Sequence, residues 1–445
     1  MTVTAPFSEL PISTDSTLAM TDCIAAQSSI VYRRSDAMQL LSTARDADPE
    51  CAYTQAVYGL MLGAARKASL APQMIEALEQ AKAHASSASE REQHYVVALE
   101  AAIAGNPLSA ASIYESILVK HPSDLLALTF LQGELFWAGE MRRSAKSSYT
   151  LVKHWQSDMP DYAAFLASRA FDLEEINQFE AAEATGCHAI ELDNSNIWAA
   201  HAVAHVLYMQ NRADEGVNWL KKLNRNWQHA NQMQFHLWWH HCLFMIEQGN
   251  PADVLALYDS HVRNSQHPLI QSTPDLFLDI QNSASLLWRL DTAGLDVADR
   301  WHALADVVKP RVDDITSPFT SAHFALVLAA TKDDAACKQL LSAMQTYVAD
   351  NQHAELAISV KAAIPAAKAA MLHREGKHNE VIATLLTTMG QLEKMGGSHA
   401  QQDVFYQLLF DSARQTGDTA LADKLHHRIE AIGFHEAAQR VMYRM

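Results

Sequence analysis

Apolar positions run along this chain in blocks of about a dozen residues, and a small residue stands where one block gives way to the next: Gly105 in IAGN, Gly139 in WAGE, Asn177 in EINQ, Asn211 in MQNR and Gly249 in EQGN. The steps between these positions are 34, 38, 34 and 38 residues. A helix of about a dozen residues, a left-handed turn at Gly or Asn, and a second helix require a repeat of this length. After Gly105 the second helix presents Ala111, Tyr114 and Ile117 before Pro122, and after Asn177 it presents Ala182, Gly186 and Ala189 before Asp193 and Asn194. Small residues let paired helices approach closely, and Pro122 stops its helix where the next repeat must begin. Gly376 in REGK and Gly417 in QTGD mark later, looser turns.

This small, aromatic, apolar, proline order at this period is that of tetratricopeptide repeats. The pattern predicts an all-α fold, a right-handed superhelical solenoid of helix pairs over residues 35–445, preceded by an arm and first helix over residues 1–34. Asn264 to Asp275 and Val308 to Pro318 are expected to break into short helices and loops. Composition agrees: apolar residues make up 49% of the 445 positions and charged ones 19%, with only 15 Gly and 13 Pro, which disfavours disordered and turn-rich all-β folds. The net charge of −17 comes without a compensating Lys/Arg stripe, so neither nucleic acid nor an anionic membrane is an expected partner. Five cysteines with no C-x-x-C pair suit reduced thiols, and no secretory signal opens the chain, so a cytoplasmic location is expected. The most apolar stretch, Ala357 to Met371, is interrupted by Lys361, Pro365 and Lys368, which predicts no membrane span.

Several long strings give the chain a more specific likeness: LPISTDS near Leu10, REQHY at Arg91, HPSDLLAL at His121, WAAHAVAH at Trp198, FHLWWHHCLFMIEQG at Phe235, LYDSHV at Leu257, SLLWRL at Ser285 and GGSHAQQDVF at Gly396. In this order, over almost the whole length, they resemble the tetratricopeptide repeat protein 38 family. The resemblance implies helical repeats and no particular reaction. Three positions depart from the family pattern: Ser321 and Asn282 stand where similar proteins carry Asp, and Gln402 stands where they carry Arg.

Chemistry-bearing residues gather in the middle of the chain. His201 and His205 are four apart in one first helix, and His236 and His240 are four apart in the next. Each pair projects from one helical face, and counted from the turns at Asn211 and Gly249 the four share an arc of about 100°. Asp259, His261, Arg289 and His323 are expected to converge on the same region, with Trp198, Trp238, Trp239 and Trp288 as stacking walls. Three interpretations stay open. In one, His201, His205, His236 and His240 bind zinc or iron. In a second, His205, His240 and His261 do acid–base chemistry with Asp259 as orienter, Arg289 holds an anion, and Trp198, Trp239, Trp288 and His323 line the substrate. In the third, the imidazoles are buried packing partners. A small-molecule pocket is thus weighed against a scaffold that holds a peptide or helix in the groove, and against assembly as a homodimer.

Other features lead to plainer expectations. His241 faces about 100° away from His240 and is left outside the site. Cys242 is expected to be a buried thiol, and His426 and His427 a solvated face. Gly396 and Gly397 are expected to end one helix, Ser398 to cap the next, and Asp403 to pair with a basic group of the last repeats.

Overall fold

The computed structural model describes residues 7–444. They contain 23 α-helices and no strand, the one β-type feature being an isolated antiparallel bridge between Arg34 and Ala230. All five turn residues named above adopt the left-handed conformation, with φ between 58° at Asn211 and 80° at Gly249. Each closes its helix with the same two backbone bonds, as Gly105 N to Ala102 O and Asn106 N to Ala101 O show. The second bond spans six residues and satisfies a carbonyl the helix end would leave orphaned. The same turn recurs at Gly376 and Gly417, and also at Gly294 and Lys332. A tetratricopeptide-like all-α fold of helix pairs is therefore what the chain forms.

Two compact units divide it. One comprises the chain up to Val203 with Arg225–Asn231 and Ala354–Leu356; the other comprises Ala204–Asn224, Gln232–His353 and the residues from Ala357 on. The Ile197–Met209 helix passes from the first into the second.

In the first unit the N-terminal arm lies against the Glu90–Ile103 helix: Ser13 N donates to Glu92 at 2.7 Å and Arg91 Nη2 to the Pro11 carbonyl at 3.0 Å. Tyr53, Tyr95, Tyr114 and Phe130 form an aromatic ladder through its core, with successive centroids 5.0, 6.0 and 5.8 Å apart. Asp172 is buried in the same unit on the Tyr162–Glu174 helix, where its carboxylate accepts from Ser144 Oγ at 2.6 Å. Burial pushes its pKa up to about 6, against the hydrogen bonds of Ser144, Ser148 and Gln132. Because this lies above the unfolded carboxyl near 3.9, the folded state binds the proton more tightly between about pH 4 and pH 6. Stability therefore rises as pH falls through that window, and above pH 6 the ionised form costs about 3 kcal/mol. Asp172→Asn is expected to gain about 1–3 kcal/mol at pH 7.5 and less than about 1 kcal/mol at pH 4.5. Denaturant melts at the two pH values check this, and a variant no more stable than wild type at pH 7.5 contradicts it.

In the second unit two kinds of helix alternate. Met233–Glu247, Phe277–Thr292, Pro318–Ala330 and His399–Thr416 are buried on nearly all sides. Between them, Ala298–Val308, Asp334–Asp350 and His378–Thr388 bury a single stripe, as Cys337, Leu340 and Met344 do on the second of these. A helix buried all round must bring its polar residues inside with it, and these must find partners there. By length and composition the Leu356–Arg374 helix is long and apolar enough to cross a membrane despite its lysines and proline, but most of it is buried inside the fold, as a core helix is. The five cysteines are free, and Cys242 is buried as expected.

Candidate functional site

The Phe277–Thr292 helix places Gln281, Asn282, Ser285 and Arg289 at successive turns of one face, and every one of them is buried. From the Met233–Glu247 helix, His236 Nδ1 meets Asn282 Oδ1 at 2.8 Å and Trp239 Nε1 donates to Ser285 Oγ at 2.9 Å. On the other side, Gln281 Nε2 donates to Thr320 Oγ1 at 2.7 Å, and its Oε1 accepts from Gln401 Nε2 at 3.3 Å. His323, on the same helix as Thr320, donates Nδ1–H to the Phe319 carbonyl at 2.8 Å and packs edge-on to Phe405. Four helices thus enclose a polar interior within the second unit.

Arg289 is the charged centre of this interior. Its side chain is 1% exposed, yet among the described residues its only hydrogen bond runs from Nη1 to the Ser285 carbonyl at 3.0 Å. Asp403 is the nearest carboxylate, with Oδ2 3.6 Å from Nη2, beyond hydrogen-bonding distance. That carboxylate is already occupied: it accepts from Tyr208 Oη at 2.7 Å, from Gln407 Nε2 at 2.6 Å and from Tyr443 Oη. Three neutral donors hold Asp403, so Arg289 faces the charge without donating to it. Among the described residues, its Nε and Nη2 have no hydrogen-bond acceptor. A second buried guanidinium, Arg440, donates to the Tyr208 carbonyl at 2.9 Å and lies 3.5 Å from Glu247.

His205, His236 and His240 come together as the sequence suggested, all within this unit. Each offers a ring nitrogen, and these lie within 4.8 Å of one another. Ring centroids are 4.6 Å apart for His205 and His240 and 4.7 Å for His236 and His240. Burial first, then the neighbouring His205, drives the His236 pKa down to about 3 against the Asn282 bond, and that of His240 well below its usual value. His323 falls to about 4 through burial, with Arg289 adding to the shift. Imidazoles so depressed are neutral acceptors or ligands at pH 7, whereas a general base works best with a pKa near the working pH.

Other candidate residues have neighbours of their own. His201 and Trp198 belong to the first unit, where His201 stacks on Phe171 at 5.4 Å and on Trp198 at 4.8 Å, with Arg33 over the Trp198 ring. Asp259 does not orient an imidazole: its helix ends at Leu257 and a wider π-type turn over Tyr258–Val262 follows, so Asp259 points outward and pairs with Arg300 at 2.6 Å. His261, in the same turn, bonds Ser260 Oγ at 2.7 Å and packs on Trp238. Trp288 lies one residue, and about 100°, from Arg289 and meets His373 instead. His241 is buried against Trp238, outside the cluster. His426 is not solvated as expected, since its Nε2 bonds the Tyr443 carbonyl at 2.8 Å; His427 is exposed.

Asn282, Ser321 and Gln402 all have hydrogen-bond partners in this interior. Asn282 bonds His236, and Ser321 Oγ donates to the Ser317 carbonyl at 3.2 Å. Gln402 Nε2 donates to the Gly397 carbonyl at 2.8 Å and pins the Gly-Gly turn that Ser398 follows with a capping box. Both glycines take positive φ, and at Gly397 an added Cβ would meet the Phe319 ring at 2.6 Å, so no other residue fits. What sequence reasoning missed is the Asp403 network, formed with Tyr208, Tyr443 and, through the Tyr208 carbonyl, Arg440. The available signal was an acidic residue among apolar neighbours in QQDVFYQLLF.

No family model matches the chain. Among solved structures it is similar to the human IFIT1 dimer with m7Gppp-AAAA, at 12% identity over 96% of each chain and a TM-score of 0.37. The human IFIT1 dimer with PPP-AAAA gives 12% identity, 96% of each chain and a TM-score of 0.44. Naa15/Naa10 bound to HypK-THB gives 11% identity over 93% of this chain and 63% of that one, with a TM-score of 0.26.

Proposed function

We propose that this tetratricopeptide-like helical scaffold binds a small carboxylate-bearing molecule in the interior of its second unit, and that the chain belongs with the tetratricopeptide repeat protein 38 family it resembles. The observation that carries the binding proposal is the Nε and Nη2 edge of Arg289, buried and with no acceptor among the described residues. Those two N–H groups are parallel and match the two oxygens of a carboxylate. A buried donor left unmade costs about 1–3 kcal/mol, so an acceptor supplied by a ligand is worth more here than at a surface. The neutral imidazole of His323, Trp239 and the free amide group of Asn282 add polar and stacking contacts around the anchor.

The test uses a thermal-shift series of benzoate, indole-3-acetate, succinate and inorganic phosphate, followed by calorimetry on whichever shifts the melt. Arg289→Lys keeps a cation opposite Asp403 and removes the fork, so carboxylate affinity is expected to fall roughly 10- to 100-fold with little loss of stability. Equal affinity in the lysine variant, or no response of the wild type to any carboxylate, overturns the proposal.

A further inference from the structure

We infer that His205, His236 and His240 form a binding site for a divalent transition-metal ion, zinc in particular. The inference does not depend on the ligand proposed for Arg289. Three imidazoles from two helices of one unit place a ring nitrogen each within 4.8 Å of one another, and all three are buried. His236 and His240 share a face of the Met233–Glu247 helix at one-turn spacing, while His205 approaches from the Ile197–Met209 helix. With metal–nitrogen bonds of about 2.0–2.1 Å, tetrahedral ligation needs nitrogens roughly 3.4 Å apart.

Asn282 supplies the outer support that such a site needs. Its Oδ1 meets His236 Nδ1 at 2.8 Å, which fixes the proton on that nitrogen and leaves Nε2 as the ligating atom. The donor set favours the ion: three neutral imidazoles suit zinc, copper, iron or nickel better than magnesium or calcium. As packing elements alone, three imidazoles would bring six ring nitrogens into a buried space that apolar side chains fill without that demand.

The experiment measures metal in untagged full-length protein by elemental mass spectrometry after desalting, then titrates chelator-stripped protein with Zn2+ and with Co2+. One equivalent of metal and the visible absorption bands of tetrahedral Co2+ are expected. His240→Gln should weaken zinc at least tenfold, and Asn282→Ala, acting only through His236, by about 10- to 100-fold. His373→Gln, at a half-buried imidazole paired with Asp411 at 2.7 Å, should leave binding unchanged. Should a variant fail to fold, the wild-type Co2+ spectrum decides. No tetrahedral Co2+ spectrum in stripped wild type, or stoichiometric metal persisting in His236→Gln/His240→Gln, overturns the inference.

Discussion

Asp124→Ala should destabilise the first unit by about 3–5 kcal/mol, the largest loss expected from a single substitution in that unit. The residue does three things at once. It accepts from Arg91 Nη1 at 2.9 Å and from Tyr95 Oη at 2.9 Å, and it caps the Leu125–Trp137 helix through the Ala127 N–H at 3.0 Å. Both ends of the ion pair are buried, 2% and 0% exposed, so the alanine strands a guanidinium whose remaining partners are the Pro11 carbonyl and the face of Tyr53. A surface pair of the same length would be worth less than about 1 kcal/mol, and the cap alone about 1 kcal/mol. Burial therefore decides the size of the effect. Arg91→Met combined with Asp124→Asn should cost clearly less than the two separate changes added together, because neither charge is left alone. Hydrogen exchange of the Leu125–Trp137 helix reads the first unit separately from the second, and additive losses in the cycle would contradict the account.

The fold was legible because a left-handed turn demands Gly or Asn, and five such residues at a fixed period announced the helix pairs. Two turns escaped because the same rule does not mark them: Arg66 and Lys332 take positive φ without a small side chain to reveal it. Residue type alone identified His205, His236, His240, Arg289 and His323, since imidazole and guanidinium groups stand out against apolar helices. Their arrangement was only partly readable. Asp259 and His261 were misplaced because the helix they seemed to extend changes to a π-type turn at Tyr258, which rotates everything after it. Trp288 was misplaced because a helix turns about 100° per residue, so a neighbour of Arg289 in sequence faces another way. Asp403 meets Tyr208 across 195 positions of sequence and Tyr443 across 40, distances that no local periodicity encodes.

Asp403→Asn should separate stability from recognition, because it is expected to move them in opposite directions. In the wild type the carboxylate stands 3.6 Å from Arg289, which at an effective dielectric constant near 20 is an attraction of about 5 kcal/mol before desolvation. The amide keeps one acceptor oxygen and gains two donors, so at least one of Tyr208, Tyr443 and Gln407 must reorient to receive it. Loss of the counter-charge leaves Arg289 buried without compensation, and the second unit should lose about 3 kcal/mol. The same loss makes an added anion the sole counter-charge, so affinity for the carboxylate probe should rise about tenfold or more over wild type. At a ligand concentration near 100 times the dissociation constant, binding restores about 2.7 kcal/mol, enough to bring the variant's melt close to that of the free wild type. Denaturant titrations with and without the probe measure both quantities in one series. Lower stability with unchanged carboxylate affinity would mean that the Nε and Nη2 edge of Arg289 is not where the ligand docks, and that the pair of Arg289 and Asp403 serves the packing of these helices alone.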